Sequence, residues 1–197
     1  MANISKKEDI FVFKILTLGD TSSGKAQFIS RFCEDRFDKD SYTTVGIEIK
    51  HKYVKIRDKK IDLRILDTAG QEKFGGIAKN YFKGADGIIL MYDITKLVSF
   101  KNIEDYINMI KNNTDITKLA IIIVGNKCDL SDKREVNEKM RKDFETQYNM
   151  KIYEASAKDN INVNECFIAL IDKMIELGLG KKLIDDDNND DDGNEQK

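Results

Sequence analysis

Gly19-Asp20-Thr21-Ser22-Ser23-Gly24-Lys25 follows directly on the apolar run Ile10-Phe11-Val12-Phe13-Lys14-Ile15-Leu16-Thr17-Leu18 and opens a helical pattern running from Lys25 to Phe32. A glycine at each end lets the backbone curl, so that successive N–H groups point into an anion-sized nest at the start of the helix. A strand, a glycine-bounded loop ending in lysine and a helix together read as a phosphate-binding loop, with Lys25 placed to reach the β- and γ-phosphates of a nucleotide. Taken alone the heptapeptide could be an ordinary turn; its position between strand and helix argues against that. The same pattern asks for Ser or Thr after the lysine, because that hydroxyl is a ligand of the nucleotide's Mg²⁺. This chain has Ala26, which has no oxygen to offer.

Outward from that loop, apolar runs alternate with helical patterns, as in a mostly parallel sheet with helices on both faces. Ile47 to Ile56 and Ile61 to Leu66 flank the polar turn Arg57-Asp58-Lys59-Lys60 and read as a hairpin, the source of one antiparallel edge strand. Gly87 to Asp93 and Leu119 to Gly125 are dense in Ile, Leu and Val, as strands covered on both faces should be. Phe100 to Lys111 carries Phe100, Ile103, Tyr106, Ile107 and Ile110 at helical spacing, and Arg134 to Tyr148 reads as a more polar helix. Lys151 to Ala155 is a short strand, and Val163 to Leu177 an amphipathic helix that closes the domain. The expectation is an α/β domain with a six-stranded, mostly parallel sheet over residues 10–178. It is preceded by a flexible arm (1–9) and followed by an acidic, disordered tail (179–197), where Asp185, Asp186, Asp187, Asp190, Asp191, Asp192 and Glu195 crowd together.

Three further clusters sit at strand ends. Asp67-Thr68-Ala69-Gly70-Gln71-Glu72 follows Ile65-Leu66. A carboxylate there can hold Mg²⁺, Gly70 leaves its N–H open to a γ-phosphate, and Gln71 can orient an attacking water. Asn126-Lys127-Cys128-Asp129 follows the next apolar run; Asp129 offers two acceptors that match the paired donors on guanine's edge, which adenine lacks. Ser156-Ala157-Lys158 could close the same pocket beneath the base oxygen. Thr44, in Tyr42-Thr43-Thr44-Val45-Gly46, could add a hydroxyl to the metal and an N–H to the γ-phosphate, ordering its loop in the triphosphate state.

The 197 residues carry 33 Lys plus Arg against 35 Asp plus Glu, a net charge of -2, which gives no sign of a nucleic-acid partner. Three scattered cysteines, Cys33, Cys128 and Cys166, fit a reducing compartment better than a disulfide scaffold. No signal peptide and no membrane-spanning run is evident, and the expectation is a cytoplasmic monomer.

With these motifs in order, the chain closely resembles the Ras-like small GTPases and, within them, the Rab branch, over about residues 10–177. The Rab character rests on Thr44-Val45-Gly46-Ile47-Glu48, Glu72-Lys73-Phe74 and Tyr81-Phe82-Lys83-Gly84-Ala85. The resemblance implies a small G domain that binds GDP or GTP with Mg²⁺ and regulates vesicle traffic. It implies nucleotide contacts from Asp20, Thr21, Ser22, Ser23, Gly24, Lys25 and Ala26, from Phe37, Thr44 and Gly70, from Asn126, Lys127, Asp129 and Leu130, and from Ser156, Ala157 and Lys158. Thr44 and Asp67 would serve the metal, and Gln71 the catalytic water. Exchange factors, activating proteins and effectors would meet residues 37–49 and 70–83.

Three departures bear on that reading. Ala26 replaces the metal-binding hydroxyl, which implies a weakened Mg²⁺ site. Ile49 and Leu66 stand where Rab proteins usually carry Phe and Trp, either as plain packing or as a changed effector surface. The chain shows no prenylation cysteines near residue 197, and Ala2 excludes myristoylation, so any endomembrane association would run through partners. Two functions stay open: a switch with slow or impaired GTP hydrolysis, and a non-catalytic adaptor that holds GDP or little nucleotide and binds partners constitutively.

Overall fold

The computed structural model describes residues 10–38, 47–68 and 82–183. One sheet holds β1 (Ile10–Gly19), β2 (Ile47–Ile56), β3 (Lys59–Thr68), β4 (Gly87–Asp93), β5 (Ala120–Asn126), β6 (Ile152–Glu154) and β7 (Lys181–Leu183). The helices are α1 (Lys25–Glu34), α2 (Leu97–Lys101), α3 (Ile103–Asn113), α4 (Glu138–Tyr148) and α5 (Val163–Glu176). Six strands run in the order β2-β3-β1-β4-β5-β6, and the seventh, β7, pairs with β1 off that path. β1, β3, β4, β5 and β6 are parallel, and β2 lies antiparallel on β3 as the hairpin pattern indicates.

β4 and β5 read as unbroken apolar runs because both of their faces are covered. Ile89, Met91, Ile122 and Val124 enter one core with Phe28, Ile29 and Phe32 of α1 and Phe167, Leu170 and Met174 of α5. The alternate residues Ile88, Leu90, Ile121 and Ile123 enter a second core with Ile103, Tyr106, Ile107 and Ile110 of α3, as the two-residue period of a strand requires. Phe28 and Phe32 stack on Phe167 with ring centroids 5.4 and 3.7 Å away. In the second core, Tyr92 meets Phe100, Phe100 meets Phe144, and Phe144 meets Tyr148, which fastens the otherwise polar α4 to the sheet.

Two helices differ from the sequence pattern. The segment around Phe100 forms α2 and α3, which meet at Asn102. α4 begins at Glu138 rather than Arg134, capped by the Asn137 side chain, which accepts the Met140 N–H at 3.0 Å. The preceding residues are committed elsewhere: Arg134 makes a two-pronged ion pair with Glu154 at 2.6 and 3.0 Å, and the N–H groups of Glu135 and Val136 both donate to the Ile94 carbonyl.

The ordered fold also runs past residue 178, a correction to the boundary drawn from composition. Gly178 (φ +65°) ends α5 by donating to the Ile175 carbonyl, the chain reverses, and β7 pairs Lys181 with Val12 and Leu183 with Ile10. The Asp86 carboxylate secures the junction, accepting the Lys14 N–H at 2.8 Å and the Gly180 N–H at 3.1 Å. Burial pushes that carboxyl above the ordinary carboxylate range, although both backbone donors pull it down. Gly180 adopts φ +92°, and a Cβ there would overlap the Phe13 ring. Gly180→Ala should therefore release β7 while the central sheet survives. The expected result is a loss of hydrogen-exchange protection of at least about tenfold at residues 181–183, about 1.4 kcal/mol, with β4 and β5 unchanged. Unaltered protection at 181–183 would refute the assignment of that glycine.

Candidate functional site

Because five strands run parallel, their carboxyl ends and the loops that follow lie along one edge of the sheet. β1 lies between β3 and β4, so chain connections diverge on its two sides there, the place where α/β sheets open a binding crevice. Residues 19–25 follow β1, Asp67 and Thr68 end β3, Asp93 ends β4, Asn126 ends β5, and residues 155–158 follow β6.

Gly24 precedes α1 with φ +94°, and a Cβ there would overlap the Asn126 amide. Asn126 is itself 2% exposed. Its Nδ2 donates to the Ser23 carbonyl at 3.0 Å, and its Oδ1 accepts the Ala157 N–H at 3.2 Å. One buried amide thus joins the loops after β1, β5 and β6. Lys25 is 5% exposed, and its ammonium turns back into the loop to donate to the carbonyls of Gly19 (2.6 Å) and Asp20 (3.3 Å). The buried Ser23 hydroxyl has no hydrogen-bond partner among the described residues. Ser22 holds φ +66°, a region L-residues enter at a cost, while Thr21 and Ser22 are exposed on the loop's rim.

On the neighbouring side, Asp129 keeps its side chain 5% exposed; Ser156 Oγ donates to its Oδ1 at 2.6 Å, and Lys158 Nζ lies 3.7 Å from its Oδ2. The same Ser156 hydroxyl accepts the Asp159 N–H at 3.0 Å. Arg31 of α1 reaches across to donate to the carbonyls of Ala157 (3.0 Å) and Lys158 (3.3 Å). Leu130 lies in the 3-10 turn Cys128–Lys133, half-buried, with its N–H on the Lys127 carbonyl. Phe37 packs, half-buried, against the core beneath α1 and α5.

Lys127 does more than the sequence suggests. Its ammonium donates to the Ser22 carbonyl at 2.9 Å and pairs with Asp93 Oδ2 at 2.7 Å. Burial alone would raise the Asp93 carboxyl, but Lys127 and the Thr95 hydroxyl and N–H outweigh it and hold Asp93 below the ordinary range. A lowered folded-state value means that this stabilisation is present above about pH 4 and is lost as the pH falls through that folded-state value.

Sequence reasoning missed Asp93, and it missed the partners of Asp20. The Asp20 carboxylate accepts Asn102 Nδ2 at 2.6 Å and the Tyr106 hydroxyl at 3.2 Å, so α3 grips the loop by its side chain. An acid closing an apolar strand was the available signal for Asp93; nothing local connects Asp20 to Asn102. Of the two aromatic positions, Leu66 is 4% exposed and joins the α3-side core, whereas Ile49, its register partner on β2, is 55% exposed. Asp67 is 1% exposed at the end of β3, and Ala26 lies in the first turn of α1. Thr44, Gly70 and Gln71, with most of residues 70–83, fall outside the described residues, as do the arm 1–9 and the acidic stretch beyond Leu183.

Comparison with known proteins bears directly on this arrangement. The Ras family matches residues 14–176. The chain belongs to the Ras family. It is 37% identical to the Ras-related protein RABA6b of Arabidopsis thaliana over 197 residues, all of this chain and 85% of that protein. It is 42% identical to human Ras-related protein Rab-3A over 166 residues, covering 84% of this chain and 75% of the relative. Ras-related protein Rab-8B of Bos taurus matches at 41% over 175 residues, 89% of this chain and 84% of that protein. This Ras-family protein is thus a Rab-like small GTPase by kinship, a GTP-binding switch in class. No helix among its described residues is long and apolar enough to cross a membrane.

Proposed function

We propose that this chain is a Rab-like guanine-nucleotide switch in vesicle traffic whose Mg²⁺ site is weakened and whose GTP hydrolysis is slow. The observation that carries the reading is Asn126, which binds the phosphate loop to the loop after β6 through one buried amide. Around it, the described residues fit a nucleotide's phosphates. The glycine cradle at Gly24 leaves no room for a side chain, Lys25 keeps a buried ammonium in the loop, and the Ser23 hydroxyl lacks a protein partner among the described residues. Asp129, held from outside by Ser156 and Lys158, would take the base's paired donors. Lys127 and Asp20 then act mainly on the loop: Lys127 ties it to Asp93, and Asn102 and Tyr106 hold the Asp20 carboxylate away from anionic phosphates.

The residues also fit Mg²⁺, though incompletely. Asp67 offers a buried carboxylate and Thr44 would offer a hydroxyl, the hard oxygen donors this ion prefers. When bound, the ion would neutralise charge on the β- and γ-phosphates. Ala26 leaves that set one oxygen short, an observation that also favours the second reading, an adaptor that retains GDP. The two separate on the nucleotide carried by the purified protein and on its GDP and GTP affinities with and without Mg²⁺.

For the switch, Gln71 would orient the attacking water. Single-turnover hydrolysis without a partner should run slower than about one per minute, and Gln71→Leu should slow it further. The measurement is phosphate release from protein preloaded with GTP. A fast rate indifferent to Gln71→Leu would assign the chemistry to another residue. Exchange factors, activating proteins and effectors would engage a monomer through residues 37–49 and 70–83, at the periphery of endomembranes. Leu66 is packing rather than recognition in this scheme, and exposed Ile49 carries the altered message.

A further inference from the structure

The sheet face that α3 covers near the nucleotide edge carries exposed side chains at its other end among the described residues, and it is basic there. Strand register puts Lys14 of β1, Arg64 of β3, Lys55 of β2 and Lys181 of β7 on one side, with Lys60 beside Lys55. Tyr53, on the same side, is 71% exposed; Lys55, His51 and Arg64 side chains are 61%, 51% and 47% exposed. Among the described residues the acids nearby are few. Asp62 is 4% exposed and lies beneath, touched by Arg64 Nε at 3.1 Å and His51 Nδ1 at 3.4 Å; Asp58 lies 4.0 Å from Lys55 at the turn; Asp86 is bound to backbone N–H groups.

β7 delivers the chain to this face. Leu183 pairs with Ile10 and points to the same side as Lys60. Asp185, Asp186 and Asp187 follow within four residues, then Asp190, Asp191, Asp192 and Glu195. Crossing from β7 over β1 and β3 to β2 takes three strand spacings, about 14 Å. Four extended residues cover about 13 Å and twelve about 40 Å, so reach does not limit the contact. A tether this short holds the acidic stretch near the face at a millimolar effective concentration, enough for individually weak charge pairs to act together.

We propose that the chain's own acidic stretch, residues 185–195, docks on the basic face formed by β2, β3, β1 and β7. Docked there, it shields Tyr53 and the outer side of β2, next to Ile49, from protein partners. The inference is independent of the nucleotide reading, since no residue of the crevice takes part.

Two measurements on the full chain decide it. A carbodiimide, which joins carboxylates to amines in direct contact, should link residues 185–195 to Lys55, Lys60 or Lys181 within the monomer. The yield should fall several-fold between about 50 and 500 mM salt, as screening shortens from about 14 to about 4 Å. Replacing Asp185→Asn, Asp186→Asn and Asp187→Asn together should move the backbone amide NMR signals of Tyr53, Lys55 and Arg64 and leave Phe28 and Phe167 in place. Links confined to a dimeric product would overturn the proposal in favour of a second copy. Links spread equally to Lys101, Lys111 and Lys139, or unmoved β2 and β3 signals, would overturn it outright.

Discussion

Ala26→Ser should raise the affinity for GTP roughly thirtyfold at millimolar Mg²⁺, about 2 kcal/mol, with a smaller gain for GDP. Ala26 is the second residue of α1, directly after the buried Lys25, so the added hydroxyl enters where the phosphate loop meets the helix. The γ-phosphate adds charge that the ion must neutralise, and Thr44 would close over the same ion, so GTP depends on a full ligand set more than GDP does. With Mg²⁺ chelated, both forms should bind each nucleotide equally. That control separates a metal effect from a general tightening of the loop. Equal GTP affinity of the two proteins across a Mg²⁺ titration would remove the weakened-metal reading, and with it the main support for a GDP-retaining adaptor.

The sequence exposed those parts of the molecule whose cause is local. β4 and β5 were legible because a strand buried on both faces must be apolar along its length. The first six residues of each, Gly87 to Tyr92 and Ala120 to Gly125, carry no charge and are buried, and the polar Asp93 and Asn126 close them. The loops at the sheet's carboxyl edge were legible for the opposite reason: polar and glycine residues interrupt such runs abruptly at Gly19, Asp67 and Asn126. What escaped was set by contacts distant in the chain. Asn102 lies 82 residues from Asp20, and its amide looks like any polar residue on a helix until α3 is packed under the loop. β7 is three exposed residues with no pattern of their own; main-chain pairing and the Asp86 carboxylate hold them. Arg134 to Val136 have helical character in isolation, but the Glu154 ion pair and the Ile94 carbonyl claim them first. Leu66 could be settled only by burial, which places it in the core.

The base side gives the sharper test of the site. Asp129→Asn should weaken GDP binding by at least about a hundredfold, and it should admit xanthine nucleotides, whose ring offers an acceptor where guanine offers an amine. Two charge-assisted hydrogen bonds at about 1.5–3 kcal/mol each would be replaced by one neutral bond and one donor facing a donor. The geometry sharpens this expectation because the carboxylate is already fixed: Ser156 holds Oδ1 at 2.6 Å and Lys158 approaches Oδ2 at 3.7 Å. The side chain is 5% exposed, so the variant amide has little water to turn toward. Ser156→Ala should act in the same direction but more weakly, since it frees the carboxylate without removing it. The measurement is the dissociation rate of labelled GDP, alongside competition by xanthosine diphosphate, in the two variants. Unchanged GDP binding in Asp129→Asn would place the base elsewhere and leave the Ser156–Asp129 bond as a structural tie between the loops after β5 and β6.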